Sequence, residues 1–224
     1  MRRGVVVVAG GTGRRMGSGI PKQYREMAGK PVILHTLERF LAFDPEITIV
    51  LVLAAGHGQY WEKITGVAAE GVVLAAGGET RYDSVKNGLS QMDPDVELIG
   101  IHDAVRPLVS QETLERCYTA AMESGSGIPV IGMDETVRIV KQGGHSEHLD
   151  RSLLRRVQTP QVFRGERIRK AYRLPFHPAF TDDASVYEAL YGEVKLVEGN
   201  PENIKITTPA DLLLAALLLD HLSG

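Results

Sequence analysis

An α/β fold is predicted, built on a mostly parallel sheet with helices on both faces. Three observations carry the expectation. Segments of helical apolar spacing alternate with short apolar runs along most of the chain, the pattern of parallel strands joined by crossover helices. The apolar runs are nearly continuous, as in strands covered on both faces. The chain has 224 residues, 43% hydrophobic and 24% charged. That is an ordinary globular composition, and the length suits one large domain, residues 1–224, with room for a small accessory element.

The elements follow in order. "GVVVVA" (4–9) is a buried strand. "PVILHTLERFLAF" (31–43) has helical spacing, with Pro31 suited to the first turn. "ITIVLVL" (47–53), "GVVLA" (71–75), "ELIGIH" (97–102) and "GIPVIG" (127–132) are further strands. "RYDSVKNGLSQM" and "SQETLERCYTAAMES" (110–124) are helices, the second capped by Ser110. "GERIRKAYR" and "TDDASVYEALYG" are helices too, with Thr181 as N-cap and Asp182 and Asp183 in the first turn. "VKLVEG" and "IKIT" read as short strands. "TPADLLLAALLLDHL" closes the chain, with Thr208 as cap and Pro209 at N1, as a helix buried on most sides.

Residues 134–158 break the alternation. "TVRIV" is strand-like, "QGGHSE" turns, and "HLDRSLLRRVQ" returns. The stretch reads as a protruding β-hairpin arm, too polar to hold a core. An isolated hairpin is marginal in water, so the arm is expected to pack on a second subunit and make a homodimer.

Composition excludes several function classes. The net charge of −3 argues against a general nucleic-acid binder. The N-terminal apolar run is too short for a signal peptide and ends in glycines. The longest apolar run, residues 212–219, falls far short of a membrane span. The single cysteine, Cys117, forms no internal disulfide and reads as a packed core thiol, which fits a reducing, cytoplasmic compartment.

"VVVVAGGTGRRMGSGIPKQY" (5–24) carries the chemistry. A tight turn explains one or two glycines by their freedom at positive φ, but not Arg14, Arg15 and Lys22 close behind. A dinucleotide site needs G-x-G-x-x-G and an acid ending the second strand; the third glycine is displaced to Gly17 and that strand ends in "LAAGHG". A Walker loop needs Gly-Lys followed by Ser or Thr, and none occurs. The remaining reading is a nucleoside-triphosphate loop. Its backbone N–H groups wrap phosphates, and Arg15 and Lys22 neutralise charge as one phosphorus is attacked. G-G-x-G-x-R-M followed by P-K resembles the signature of the sugar and polyol nucleotidyltransferases.

Companion motifs agree. Asp103, in "IHDAVRP" (101–107), ends a strand at the carboxyl edge, where an open α/β sheet has its ligand crevice. Alone it reads as a cap; beside the phosphate loop it reads as a Mg²⁺ ligand, since Mg²⁺ takes one or two carboxylates plus substrate phosphates. "AAGGETRYDSV" (75–85) offers Gly77 and Gly78 to a flat base and Ser84 to a nucleotide. Lys205, in "ENIKIT" (202–207), faces opposite to Ile204 and Ile206. His102 reads as a strand-end hydrogen-bonding group, and His145 and His148 as arm surface.

Taken together, "AGGTGRRM", "PKQY", "GGETRYDSV", "HDAVRP", "DETV", "TPQVF", "TDDAS" and "ENIKITTPADL" resemble the 2-C-methyl-D-erythritol 4-phosphate cytidylyltransferases across nearly the whole chain. The spacing "GSGI" between Met16 and Pro21 favours these over the ribitol 5-phosphate cytidylyltransferases, the nearest alternative. Gly10, where many members have alanine, and Glu79, where Asp is common, are departures. The resemblance implies a Rossmann-like fold and transfer of CMP from CTP to a polyol phosphate. It implies that Ala9, Gly10, Gly11, Thr12, Gly13, Arg15 and Lys22 hold the triphosphate, with Arg15 and Lys22 stabilising the transition state. Gly78, Glu79, Ser84 and Ala104 would line the nucleotide, and Asp103 would bind it through Mg²⁺. Arg106, Thr159, Thr181 and Lys205 would hold the polyol phosphate, with Thr136 and Arg151 brought by the arm of a second subunit. A molybdenum-cofactor nucleotidyltransferase would not explain "ENIKITTPADL", and a non-catalytic regulator would be expected to lack Lys22 or Asp103.

Overall fold

The computed structural model describes residues 1–10, 19–64 and 70–222. β1 (Arg3–Ala9) leads to a small hairpin of β2 (Glu26–Met27) and β3 (Lys30–Pro31), then α1 (Val32–Phe43) and β4 (Thr48–Leu53). After α2 (Gly58–Trp61) come β5 (Val73–Ala76), α3 (Arg81–Gln91), β6 (Leu98–Asp103), α4 (Gln111–Ser124) and β7 (Ser126–Gly132). The excursion holds β8 (Val137–Val140), β9 (Ser146–Leu149) and β10 (Arg155–Val157). β11 (Gln161–Arg164), α5 (Gly165–Ala171), α6 (Asp183–Tyr191), β12 (Leu196–Glu198) and α7 (Pro209–Leu222) complete the chain.

One sheet runs β10-β7-β11-β6-β1-β4-β5, with β12 on β7. β6, β1, β4 and β5 are mutually parallel, and β12 is parallel to β7. β11 is antiparallel to both β6 and β7, and β10 is antiparallel to β7. β1 shows why its run is apolar throughout. Val5 and Val7 face Ile33, Leu37 and Phe40 of α1 and Leu114 and Tyr118 of α4, while Val6 faces Val85 and Leu89 of α3. Helices therefore cover both faces, and each fully buried valine contributes about 1.5–3 kcal/mol. Cys117 lies in the first of these cores, fully buried, and burial raises its thiol pKa to about 12.

Several local expectations are corrected. Pro31 precedes α1 as its cap residue instead of sitting in its first turn. Asp182, not Thr181, caps α6: its carboxylate accepts from Ser185 N–H, while Ser185 Oγ accepts from Asp182 N–H. That reciprocal capping box satisfies two orphan donors, which Thr181 one residue earlier does not. Ile204–Thr207 forms no strand; Ile206 N–H donates to the Val105 carbonyl outside any ladder. The arm proper is the β8–β9 hairpin, because its return leg rejoins the main sheet as β10. α7 is capped by Thr208 as expected, but among its described side chains only Ala215 is fully buried, against Met27, Val32 and Ile206 among others. Leu213, Leu214 and Leu217 stay exposed.

Candidate active site

The parallel register sets Val8 of β1 beside Asp103 of β6. Both strands end at the same edge, so the chain at Ala9 and the "HDAVRP" loop leave the sheet side by side. Ala104 N–H donates to the Val8 carbonyl and ties the two exits together. Gly11, Thr12, Gly13 and Arg15 lie outside the described residues. Ala9 is buried, and its carbonyl accepts from Gln23 Nε2 at 2.8 Å. Lys22, just past the turn, donates from Nζ to the Ile206 carbonyl at 3.0 Å. That bond brings the phosphate-loop lysine next to Lys205.

Asp103 is the centre of the charge arrangement. The residue is buried, with 8% of its surface exposed. Oδ2 meets Lys205 Nζ at 2.9 Å and Arg106 Nε at 3.3 Å. Among the described residues, Oδ1 has only Arg81 Nε, at 3.9 Å. Burial by itself would raise the Asp103 pKa; Lys205 first, then Arg81 and Arg106, outweigh it and hold the group well below the usual carboxylate range. Asp103 is therefore ionised and caps no helix. Lys205 belongs to this cluster and is not a solvated surface lysine.

A chain of hydrogen bonds fixes the loop around it. A carbonyl only accepts, so His102 Nε2 carries the proton given to the Arg106 carbonyl, at 3.0 Å. Nδ1 then accepts from the Thr159 hydroxyl at 3.0 Å, and Thr159 Oγ1 accepts from Asp103 N–H at 3.1 Å. His102 is fully buried, and burial pushes its pKa down to about 4 against the opposing bond to Arg106. Arg106 Nη1 also donates to the Asn203 carbonyl at 2.7 Å, and Asn203 Nδ2 to the Thr159 carbonyl at 2.8 Å. The hydroxyl of Thr159 is thus engaged in positioning Asp103 and His102.

The second glycine loop is similarly braced. The Ser84 hydroxyl donates to the Thr80 carbonyl and accepts from Gly78 N–H at 3.0 Å. Ser84 is buried and holds the loop rather than projecting from it. A Cβ on Gly78 would stand 2.2 Å from that of Asp83, so no larger residue fits there. Gly10 closes on the same serine, 3.3 Å from Oγ to an added Cβ. Glu79 is exposed beside them.

Arg81 and Asp183 are functional-looking residues that the sequence reading passed over. Arg81 forms a two-pronged pair with Asp183, at 2.9 and 2.6 Å, and Tyr172 Oη donates to Asp183 at 2.6 Å. A signal was present: an arginine in the first turn of α3 opposes the helix dipole, and so calls for a carboxylate elsewhere. Thr181 is exposed just before the α6 cap. Thr136 and Arg151 are exposed at the base of the hairpin, where Arg151 Nη1 donates to the Asp134 carbonyl. No contact among the described residues joins either one to the Asp103 cluster.

Mg²⁺ fits this donor set in a limited way. No cluster of three or more His, Cys, Asp or Glu residues that could hold a metal occurs among the described residues. Asp103 offers one ionised, lightly engaged oxygen, Oδ1. The remaining ligands of a hard cation would be phosphate oxygens and water.

The chain matches the family model for 2-C-methyl-D-erythritol 4-phosphate cytidylyltransferase over residues 4–221. It is 48% identical to proteins of that name from Phocaeicola vulgatus and Bacteroides fragilis, over 98% of this chain and 100% of each relative. Among solved structures, it superposes on 4-diphosphocytidyl-2C-methyl-D-erythritol synthase from Anaerococcus prevotii with a TM-score of 0.80 at 29% identity, covering 98% of this chain and 96% of that one. The 2-C-methyl-D-erythritol 4-phosphate cytidylyltransferase from Thermus thermophilus gives 0.78 at 29% identity, covering 98% and 100%.

Proposed function

The chain belongs to the 2-C-methyl-D-erythritol 4-phosphate cytidylyltransferase family, and from that premise we propose how its residues divide the reaction. It is a nucleotidyltransferase that joins CTP and 2-C-methyl-D-erythritol 4-phosphate, giving 4-diphosphocytidyl-2-C-methyl-D-erythritol and pyrophosphate. A phosphate oxygen of the polyol phosphate attacks the α-phosphorus of CTP in line. The new P–O bond forms as the bond to pyrophosphate breaks. The attacking phosphate has its second pKa at about 6, so it arrives ionised and needs no general base. The task is to bring two polyanions together and to stabilise the charge that grows in the transition state.

In this reading Ala9–Gly13, Arg15 and Lys22 hold the triphosphate, and Arg15 and Lys22 oppose the growing charge. Gly78, Glu79, Ser84 and Ala104 shape the nucleotide side, with Ser84 acting through the loop it braces. Arg106 and Lys205 face the polyol phosphate; Thr159 orients Asp103; Thr181 stands at the rim. Asp103 would hold Mg²⁺ through its carboxylate, and the bound ion would neutralise triphosphate charge. Thr136 and Arg151 reach the site of a second subunit through the arm, making the enzyme a homodimer. Residues 1–224 act as one nucleotidyltransferase domain with an arm. The compartment is the cytoplasm, consistent with a single buried cysteine and with no described helix long and apolar enough to cross a membrane.

The observation that carries this assignment is Asp103 flanked by Lys205 and Arg106, beside the exit of β1. The test is pyrophosphate release with CTP, Mg²⁺ and a panel of polyol phosphates. Methylerythritol phosphate is expected to be the best substrate. Faster release with ribitol 5-phosphate would overturn the choice of alcohol, and release that needs no Mg²⁺ would overturn the metal.

A further inference from the structure

A cavity of about 230 Å³ opens beside the Asp103 cluster. Its walls include Arg106, Lys205, Asn203 and Gln158, and also Arg156 of β10. The charges do not balance there. Arg106 and Lys205 share one carboxylate, that of Asp103, while Arg81 has its own partner in Asp183. The Arg156 side chain has no hydrogen bond or ion pair among the described residues, and its backbone is pinned by the pairing of β10 with Ile131 of β7. Three cations thus border the cavity, and the carboxylate that two of them share, that of Asp103, is not among its walls.

The pinning matters. An unpaired arginine on a loose loop is ordinary surface. Here the main chain is a sheet strand, and alternation puts successive side chains of a strand on opposite faces. Arg155 accordingly borders a different cavity, while Arg156 borders this one. A dianionic phosphate matches this wall, because it brings the negative charge that Arg106, Lys205 and Arg156 together lack.

We propose that Arg156, from the same subunit as Lys205, is a further ligand for the phosphate of the polyol substrate. The proposal rests on the assignment of this edge as the polyol-phosphate site. It adds a phosphate contact that does not depend on the arm of a second subunit. Guanidinium suits it because two parallel N–H groups grip a phosphate together.

The test compares wild type, Arg156→Gln and Arg156→Lys, each assayed with CTP and 2-C-methyl-D-erythritol 4-phosphate. Arg156→Gln is expected to raise KM for the polyol phosphate about tenfold or more, since a hydrogen bond to a charged group is worth about 1.5–3 kcal/mol. The KM for CTP and kcat should stay within about twofold, a separation that a general structural defect would not produce. Arg156→Lys should restore part of the loss by keeping the charge without the two-pronged grip. An unchanged KM for the polyol phosphate in Arg156→Gln, with wild type active, overturns the role of Arg156 and leaves the site intact. Equal rises in both KM values, or no rescue by lysine, overturn it also. A wild type inactive with this substrate overturns the underlying assignment itself.

Discussion

The Asp103 cluster and the β8–β9 hairpin are both rich in charge, and they handle it in opposite ways. Around Asp103 the carboxylate is buried, and it is held by Lys205 and Arg106 within a network that reaches from β6 to Thr159 and Asn203. On the hairpin, Arg138, Lys141 and Glu147 are exposed and satisfied only by neighbours on the same hairpin. The first arrangement is preorganised and strongly coupled to folding. The second is coupled weakly, and exposed pairs of that kind contribute little to stability. In the proposed homodimer, the rigid half of the site would be completed by Thr136 and Arg151 on the exposed arm of a second subunit.

The largest expected effect lies on the rigid side. Lys22 is tied to the Ile206 carbonyl and is read as a donor to oxygens whose charge grows during transfer. Lys22→Met should lower kcat by about 10²–10³, the usual loss for one such donor, with a smaller change in CTP affinity. Steady-state kinetics at saturating CTP checks this. A near-normal kcat would move the catalytic burden away from Lys22.

These two regions also differ in how far they can be read from sequence. The buried strands were legible because continuous apolar runs have one economical explanation in an α/β chain. β10 and β11 were not: "RRV" and "QVFR" are too short to show a period, and their place comes from free edges on β6 and β7. "IKIT" alternates like a strand but finds no strand partner. In the site, motif spacing pointed to Lys22, Asp103 and Lys205 but was silent on the His102–Thr159 relay, which joins residues 57 positions apart. Asp183 does stand in the first turn of α6 as its sequence position predicts, but nothing beside it reveals that Arg81, 102 positions away, reaches it.

The coupling of the rigid side to folding should show in its pH dependence. His102 titrates near 6.5 when unfolded and is held down at about 4 when folded. Between those values the unfolded chain binds a proton that the native state refuses. Stability is therefore full above pH 6.5 and falls as pH drops toward 4, by roughly 3 kcal/mol for this group. Asp103, held still lower, continues the loss in stronger acid. His35 and His57 are also shifted down by burial, so the measurement is a difference: denaturant midpoints from pH 7.5 to 4.5 for wild type and His102→Gln. The variant should lose less between pH 6.5 and 4.5. Parallel curves would show that His102 protonates without cost.

Smaller, and on the other side of the comparison, is the effect of the arm. Arg151→Ala should raise KM for the polyol phosphate by about 10-fold to 10²-fold, as expected for one charged hydrogen-bonding partner, and leave KM for CTP nearly unchanged. Mixing sharpens this. Refolding an excess of Arg151→Ala chains with Lys22→Met chains yields mixed dimers in which one site has both Lys22 and an incoming Arg151. Activity should reappear, up to half per mixed dimer. A mixture as inactive as its parents, with mixed dimers present, would assign Arg151 to its own subunit and undo the contrast drawn above.

The smallest effect concerns a third region, which looks like an alternative to the arm. α7 presents Leu213, Leu214 and Leu217 to solvent at 70, 47 and 61% exposure, although its run of leucines reads from sequence as buried on most sides. An apolar stripe of this kind is a rival place for two subunits to meet. If the arm makes the dimer, Leu217→Gln should change stability by less than about 0.5 kcal/mol, the range of ordinary surface substitutions, and leave the subunit number unaltered in sedimentation. Ala215→Leu, on the buried side of the same helix, should instead cost about 1–3 kcal/mol by overpacking against Met27 and Ile206. Dissociation of the Leu217→Gln protein into monomers would place the interface on α7. Arg151 would then have no second subunit within reach, and the exposed arm would need another explanation.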